Sequence, residues 1–249
     1  MGGYGKPIAT CSPRGWYTWD NDSMLSLGID VGELKNKGLH LVLMDDQFIL
    51  TGKRNVHNVS EVVDYCAANR PDIVAVDSPP AWGLTGKSRL AERELRERGI
   101  QSYATPSVDD VAKQVNKFYG WMRVGFTVFE QLVAHYPRYR NGEPKRTAIE
   151  VFPHASAVYV VGAHQPEGIG KAKWRRAVLT AAGIKAESLT NGDWVDAGLA
   201  ALTGIYALRG DFATFGNPEE GVIVVPRKES RSISLRRMIA PTGSGGTTV

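Results

Sequence analysis

Four aspartates in this chain stand where an acid is costly. Asp30 closes the largely apolar run Met24-Leu25-Ser26-Leu27-Gly28-Ile29, and Asp77 closes Ile73-Val74-Ala75-Val76. Asp193 and Asp196 open a predicted helix whose remainder, Ala197 to Leu208, carries no charge. A buried carboxylate needs a partner, a proton or a cation. Three or four carboxylates together can hold two metal ions roughly 3.5–4 Å apart. One ion then activates an attacking water and the other stabilises the leaving oxygen of a phosphodiester, so no nucleophilic side chain is required. Hard cations of the Mg2+ or Mn2+ type suit such oxygen ligands. Glu150, at the end of the predicted strand Thr147 to Val151, is a fifth candidate, as an outer ligand or a water-orienting group.

The elements that must position these acids follow from periodicity. Met24 to Val31, Leu39 to Met44 and Phe48 to Thr51 read as three strands, the last two joined by a turn at Asp45-Asp46-Gln47. Ser60 begins a helix with Val62, Val63, Cys66 and Ala67 on one face. Arg70-Pro71 stops it, and Asp72 to Asp77 is a fourth strand. Its continuous apolar character belongs to a parallel strand covered on both faces. A right-handed crossover then sets strands one and four side by side, about 4.8 Å apart, with Asp30 facing Asp77. Asp193 and Asp196 are three apart and share a helix face. A charged helix over Ser88 to Arg98, with a solvated Glu92-to-Arg96 stretch, and one long helix over Val108 to Tyr136, carrying Val111, Val115, Phe118, Met122, Phe126, Phe129 and Val133, are also expected. Helices over His154 to Val161 and Lys171 to Ala182, and a late strand at Val222 to Val225, complete the reading.

Composition narrows the alternatives. A chain of 249 residues with net charge +4 and pI near 9.0 permits nucleic-acid binding without requiring it. Two cysteines make a disulfide framework unneeded, and no C-x-x-C or H-E-x-x-H spacing among the five histidines speaks for zinc. No segment approaches the roughly 20 apolar residues of a membrane span. The N-terminus has no apolar leader core, and Lys6 stands where myristoylation needs Ser or Thr. A cytoplasmic location is the default expectation. Residues 1–23 read as an irregular arm, 24–240 as a single domain with helical insertions, and 241–249 as a flexible tail.

Several motifs carry a family resemblance. Gly28-Ile29-Asp30-Val31-Gly32 resembles the first-strand acid motif of the ribonuclease H-like superfamily. Asp193-Trp194-Val195-Asp196-Ala197 resembles the D-x-x-D-A helix of its RuvC-like resolvase branch. Val76-Asp77-Ser78-Pro79 and Ile149-Glu150-Val151-Phe152-Pro153-His154-Ala155 resemble the D-[AS]-P and E-[VT]-[YF]-P-x-A motifs of the DUF429 family, described as predicted nucleases. The resemblance runs from about Leu27 to Pro226. It implies an α/β fold of ribonuclease H-like type, a mixed five-stranded sheet in the order 3-2-1-4-5 flanked by helices. By analogy it implies a metal-dependent nuclease for DNA or RNA, with Asp30, Asp77, Asp193 and Asp196 as ligands of Mg2+ or Mn2+. Resolvase-like relatives work as dimers, which leaves a homodimer open.

Each residue also has a plainer role. Asp30 can bind a loop amide, Asp77 can form an Asx turn before Ser78-Pro79, and Asp193 can belong to a cap at Thr190-Asn191-Gly192. Lys171, Lys173, Arg175 and Arg176 around Trp174 suit a phosphate backbone, although a solvated face with one buried Trp is the preferred reading. His154 and His164 are read as packing or surface residues ahead of proton carriers. Gly83-Leu84-Thr85-Gly86-Lys87-Ser88 is no P-loop, because Ala81 stands where its first glycine belongs. The rival functions are a non-catalytic nucleic-acid binder or scaffold on the same fold, and a nucleotide phosphotransferase of the actin and sugar-kinase type.

Overall fold

The computed structural model describes residues 23–112 and 118–227. The arm expected before Ser23, the tail expected over 241–249 and Val115 of the long helix lie outside these residues. Strands β1 (Leu25–Val31), β2 (Leu39–Asp45) and β3 (Leu50–Val56) form an antiparallel meander. Helix α1 (Val59–Asn69) crosses over to β4 (Ile73–Asp77), which lies parallel to β1. Helices α2 (Leu90–Glu97), α3 (Val108–Ala112) and α4 (Gly120–Leu132) precede β5 (Ala148–Val151), parallel to β4. Then come α5 (Pro153–Val161), α6 (Lys171–Ala181), α7 (Gly192–Leu208), β6 (Phe212–Asn217) and β7 (Gly221–Pro226).

The sheet has seven strands in the order β3-β2-β1-β4-β5-β7-β6. Its first five take the expected ribonuclease H-like order. The late strand β7 pairs parallel to β5, and β6 adds an antiparallel edge that periodicity missed. Only Phe215 of β6 is buried, so its place comes from backbone pairing with β7 rather than from an apolar pattern.

Side chains alternate across a strand, and β1 shows why that matters here. Leu27, Ile29 and Val31 pack with Val62 of α1 and Val128 and Leu132 of α4. Ser26, Gly28 and Asp30 therefore face the other layer, where α7 lies. A Cβ on Gly28 would come within 2.1 Å of the Ala197 carbonyl oxygen, and one on Gly204 within 2.1 Å of Ser26 Oγ. These small residues let α7 rest almost on the backbone of β1.

Three expectations need correction. The long helix over Val108 to Tyr136 is two elements: Phe118 and Tyr119 form a turn, Gly120 starts α4, and Tyr136 lies beyond its end. Apolar spacing continued through the break because Phe118 and Val108 serve the surface, at 44% and 60% exposure, and not the core. The stretch from Glu92 is not solvated throughout, since Glu92 and Leu95 are buried. Phe48 belongs to the turn, with a left-handed φ of 61°, and β3 runs on to Val56 as an exposed strand at the sheet edge. Among the described residues no helix is long and apolar enough to cross a membrane.

Candidate metal centre and its cavity

Asp30 and Asp77 are direct partners across the parallel β1–β4 pair, so both point to the α7 face. Asn191 caps α7, its side chain accepting from the Trp194 amide at 2.9 Å. The cap is thus Asn191 and not Thr190, and Asp193 is left outside it. The close seat of α7 on Gly28 brings its first turns over the ends of β1 and β4. As a result carboxylate oxygens of Asp30, Asp77 and Asp196 all lie within 4.8 Å of one another. This group can hold a metal ion. A second trio at the same spacing joins Asp30 and Asp193 to His40.

The sequence reading passed over His40, although the register shows it. His40 is the antiparallel partner of Asp30, a polar residue in the apolar β2. Its ring stands edge-on to Trp194 with centroids 4.6 Å apart, and its Nδ1 lies 3.9 Å from Asp30 Oδ2. Burial lowers its pKa, so it stays neutral near pH 7.

Two cations temper the acids. Arg175 Nη1 donates to both oxygens of Asp196, at 2.7 and 2.6 Å. Lys37 Nζ donates to Asp193 at 2.9 Å from an exposed position. The expectation for the Lys171–Arg176 segment was half right: Trp174 is buried, but the Arg175 side chain is only 12% exposed and serves the acid cluster. These ion pairs do not balance the site. Burial, then Asp77, Asp196 and Asp193, push Asp30 well above the usual carboxylate range, with Lys37 opposing. Burial and Asp196 raise Asp77, and burial raises Asp196 against the pull of Arg175. Carboxylates so crowded either retain protons or draw in a cation.

Glu150 does not join them. It pairs with Val76, the neighbour of Asp77, and paired residues share a face. Glu150 thus points to the side opposite Asp77. There Arg89, 1% exposed, grips it with Nη1 at 2.8 Å and Nη2 at 2.5 Å while Nε holds Glu92 at 2.9 Å. Burial opposes the charge on Arg89, but Glu150 and Glu92 keep its pKa above the usual value. Burial also raises Glu150 despite Arg89, since one guanidinium serves two carboxylates. Arg89 is therefore held inside the fold by two acids, and its role was invisible without the fold.

A cavity of about 470 Å³ opens over the four aspartates. Arg89, Glu92 and Glu150 also line it, as do Tyr103, Phe118 and Trp121. The aromatic wall, too, was missed in the sequence. Its members come from a loop and from either side of the start of α4.

The sequence profile of a family described as "Protein of unknown function (DUF429)" matches residues 28–221. The chain belongs to the DUF429 family. The matched span of this DUF429 protein contains all four aspartates, His40, Arg89 and Arg175. No curated protein matches it by sequence. Among solved structures it aligns with the Thermus thermophilus RuvC structure at 18% identity and a TM-score of 0.39, covering 75% of this chain and 97% of that one. It also aligns with T. thermophilus RuvC in complex with Holliday junction substrate at 17% identity and a TM-score of 0.41, covering 75% and 96%.

Proposed function

We propose that this protein is a divalent-metal-dependent nuclease that hydrolyses phosphodiester bonds in DNA or RNA. The observation that carries the reading is the convergence of Asp30, Asp77 and Asp196 within 4.8 Å at a cavity. The donors are all oxygen, which fits Mg2+ or Mn2+. A cation held there would supply an activated water and charge neutralisation at the leaving oxygen. Asp193 borders the same cavity and completes the acidic set. Arg175 offers a planar fork of donors that matches a phosphate, and Lys37 a mobile point charge. Glu150 enters as the partner of Arg89 and so as a rigid wall of the cavity.

The test is manganese and magnesium titration by calorimetry, followed by cleavage assays on labelled oligonucleotides. Wild type should bind metal and cut, while Asp30→Asn and Asp196→Asn should lose both and keep a native circular dichroism spectrum. Full cleavage by either variant would sink the assignment. Salt-sensitive nucleic-acid binding with no metal requirement and no cleavage would replace it with the non-catalytic reading.

A further inference from the structure

The cavity over the aspartates does not end at its aromatic wall. A second hollow of about 480 Å³ lies beyond it and shares Ser102, Tyr103, Phe152 and Arg175 with the first. The charge changes across this shared wall. Four aspartates line the first hollow, whereas no carboxylate lines the second, which has Lys171, Arg175, His154 and His164 instead. Two polar atoms along it, Ser102 Oγ and His154 Nδ1, are buried and have no hydrogen-bond partner among the described residues. Arg175 Nε is in the same state. Buried polar atoms seldom go unpaired, so donors and acceptors left over beside a hollow suit an incoming ligand.

The wall itself is unusual. Tyr103 is 64% exposed and Phe118 44%, and they meet with ring centroids 5.3 Å apart. Trp121 lies 6.1 Å from Tyr103. Aromatic surface along the acidic hollow, with Tyr103 bordering the basic one as well, matches the faces of unpaired bases, which stack on such rings in any sequence. A duplex keeps those faces stacked on one another and cannot offer them.

Resting on the nuclease reading above, we propose that the substrate is a single-stranded segment of nucleic acid. One base stacks on the Tyr103–Phe118–Trp121 platform. The scissile phosphate lies over the aspartates, and a neighbouring phosphate enters the basic hollow against Lys171, Arg175 and Ser102.

The experiment is fluorescence anisotropy with ten-nucleotide thymidine and uridine oligomers and a ten-base-pair duplex, first in EDTA and then with calcium. At least one single strand should bind about tenfold more tightly than the duplex. Tyr103→Ala should weaken single-strand binding about tenfold, and Tyr103→Phe, which keeps the ring, should restore it. Because Tyr103 is exposed, neither change threatens folding. Lys171→Ala should reduce the slope of log affinity against log salt by about 0.7. Equal binding of duplex and single strand, or unchanged binding by Tyr103→Ala, would overturn the proposal. The two readings fail separately. Single-strand preference without cleavage in manganese would remove the nuclease and leave this site. Cleavage of duplex that Tyr103→Ala does not slow would do the reverse.

Discussion

Replacing Asp30 by Asn should stabilise the metal-free protein while destroying its metal site. Asp30 is pushed up by burial and by Asp77, Asp196 and Asp193, with Lys37 as the opposing charge. Two like charges within 4.8 Å repel by about 3.5 kcal/mol at an effective dielectric of about 20. Lys37 offsets part of this, so a net gain of roughly 2–3 kcal/mol is expected, or about 5–10 °C in melting temperature for a chain of this size. The pH dependence follows from proton linkage. Above about pH 4 an unfolded aspartate has released the proton that the folded one retains, so the folded state binds more protons. Wild-type stability therefore falls as pH rises towards the raised native pKa, and the variant lacks this contribution. The difference between the two proteins should be near zero around pH 4, grow with pH and then level off. Taking the difference cancels His154, whose lowered pKa gives the opposite slope below about pH 6.5. The assay is thermal and urea unfolding in EDTA from pH 4 to 8, repeated with manganese, which should stabilise wild type alone. A variant that melts at or below wild type in EDTA at pH 8 would refute the reasoning.

Two further substitutions probe the scaffold. Gly28→Ala places a methyl 2.1 Å from the Ala197 carbonyl, against an ordinary contact of 3.4 Å or more, so α7 must retreat by about an ångström. It should cost about 3 kcal/mol in urea unfolding and weaken manganese binding by calorimetry, and tight metal binding at unchanged stability would contradict it. Glu150→Ala takes the acceptor from Arg89 Nη1 and leaves a buried guanidinium N–H unmatched, so it should cost about 2–3 kcal/mol, read as a lower urea midpoint.

The sheet was legible where burial wrote itself into the residues. The largely apolar run of β1 and the unbroken one of β4 gave both strands, and parallel pairing then set Asp30 against Asp77. Asp196 was legible as the only charge between Asp193 and Arg209, on a helix apolar nearly all round. What escaped depends on pairings between distant segments. Glu92 sits in a run that reads as solvated; its partner is Arg89, three residues earlier, and nothing local reveals that Arg89 is itself drawn inside the fold to Glu150. Arg175 resembled its solvated neighbours because nothing local reveals that Asp196 lies against it. The break at Phe118-Tyr119 was hidden by aromatic residues that keep helical spacing while facing the cavity. Glu150 was grouped with the aspartates by its strand-end position, and a shift of one residue against Asp77 turned it to the other face.

The proposed metal centre is assembled from β1, β4 and α7, the first two early in the matched span and the third near its far end. Strand pairing alone sets Asp30 beside Asp77, but Asp196 does not reach them until α7 has settled on Gly28. Cation binding there would report the whole domain's cooperativity rather than that of a loop. An ion at a hundred times its dissociation constant adds about 2.7 kcal/mol to global unfolding, spread over every element that must be docked for the ligands to meet.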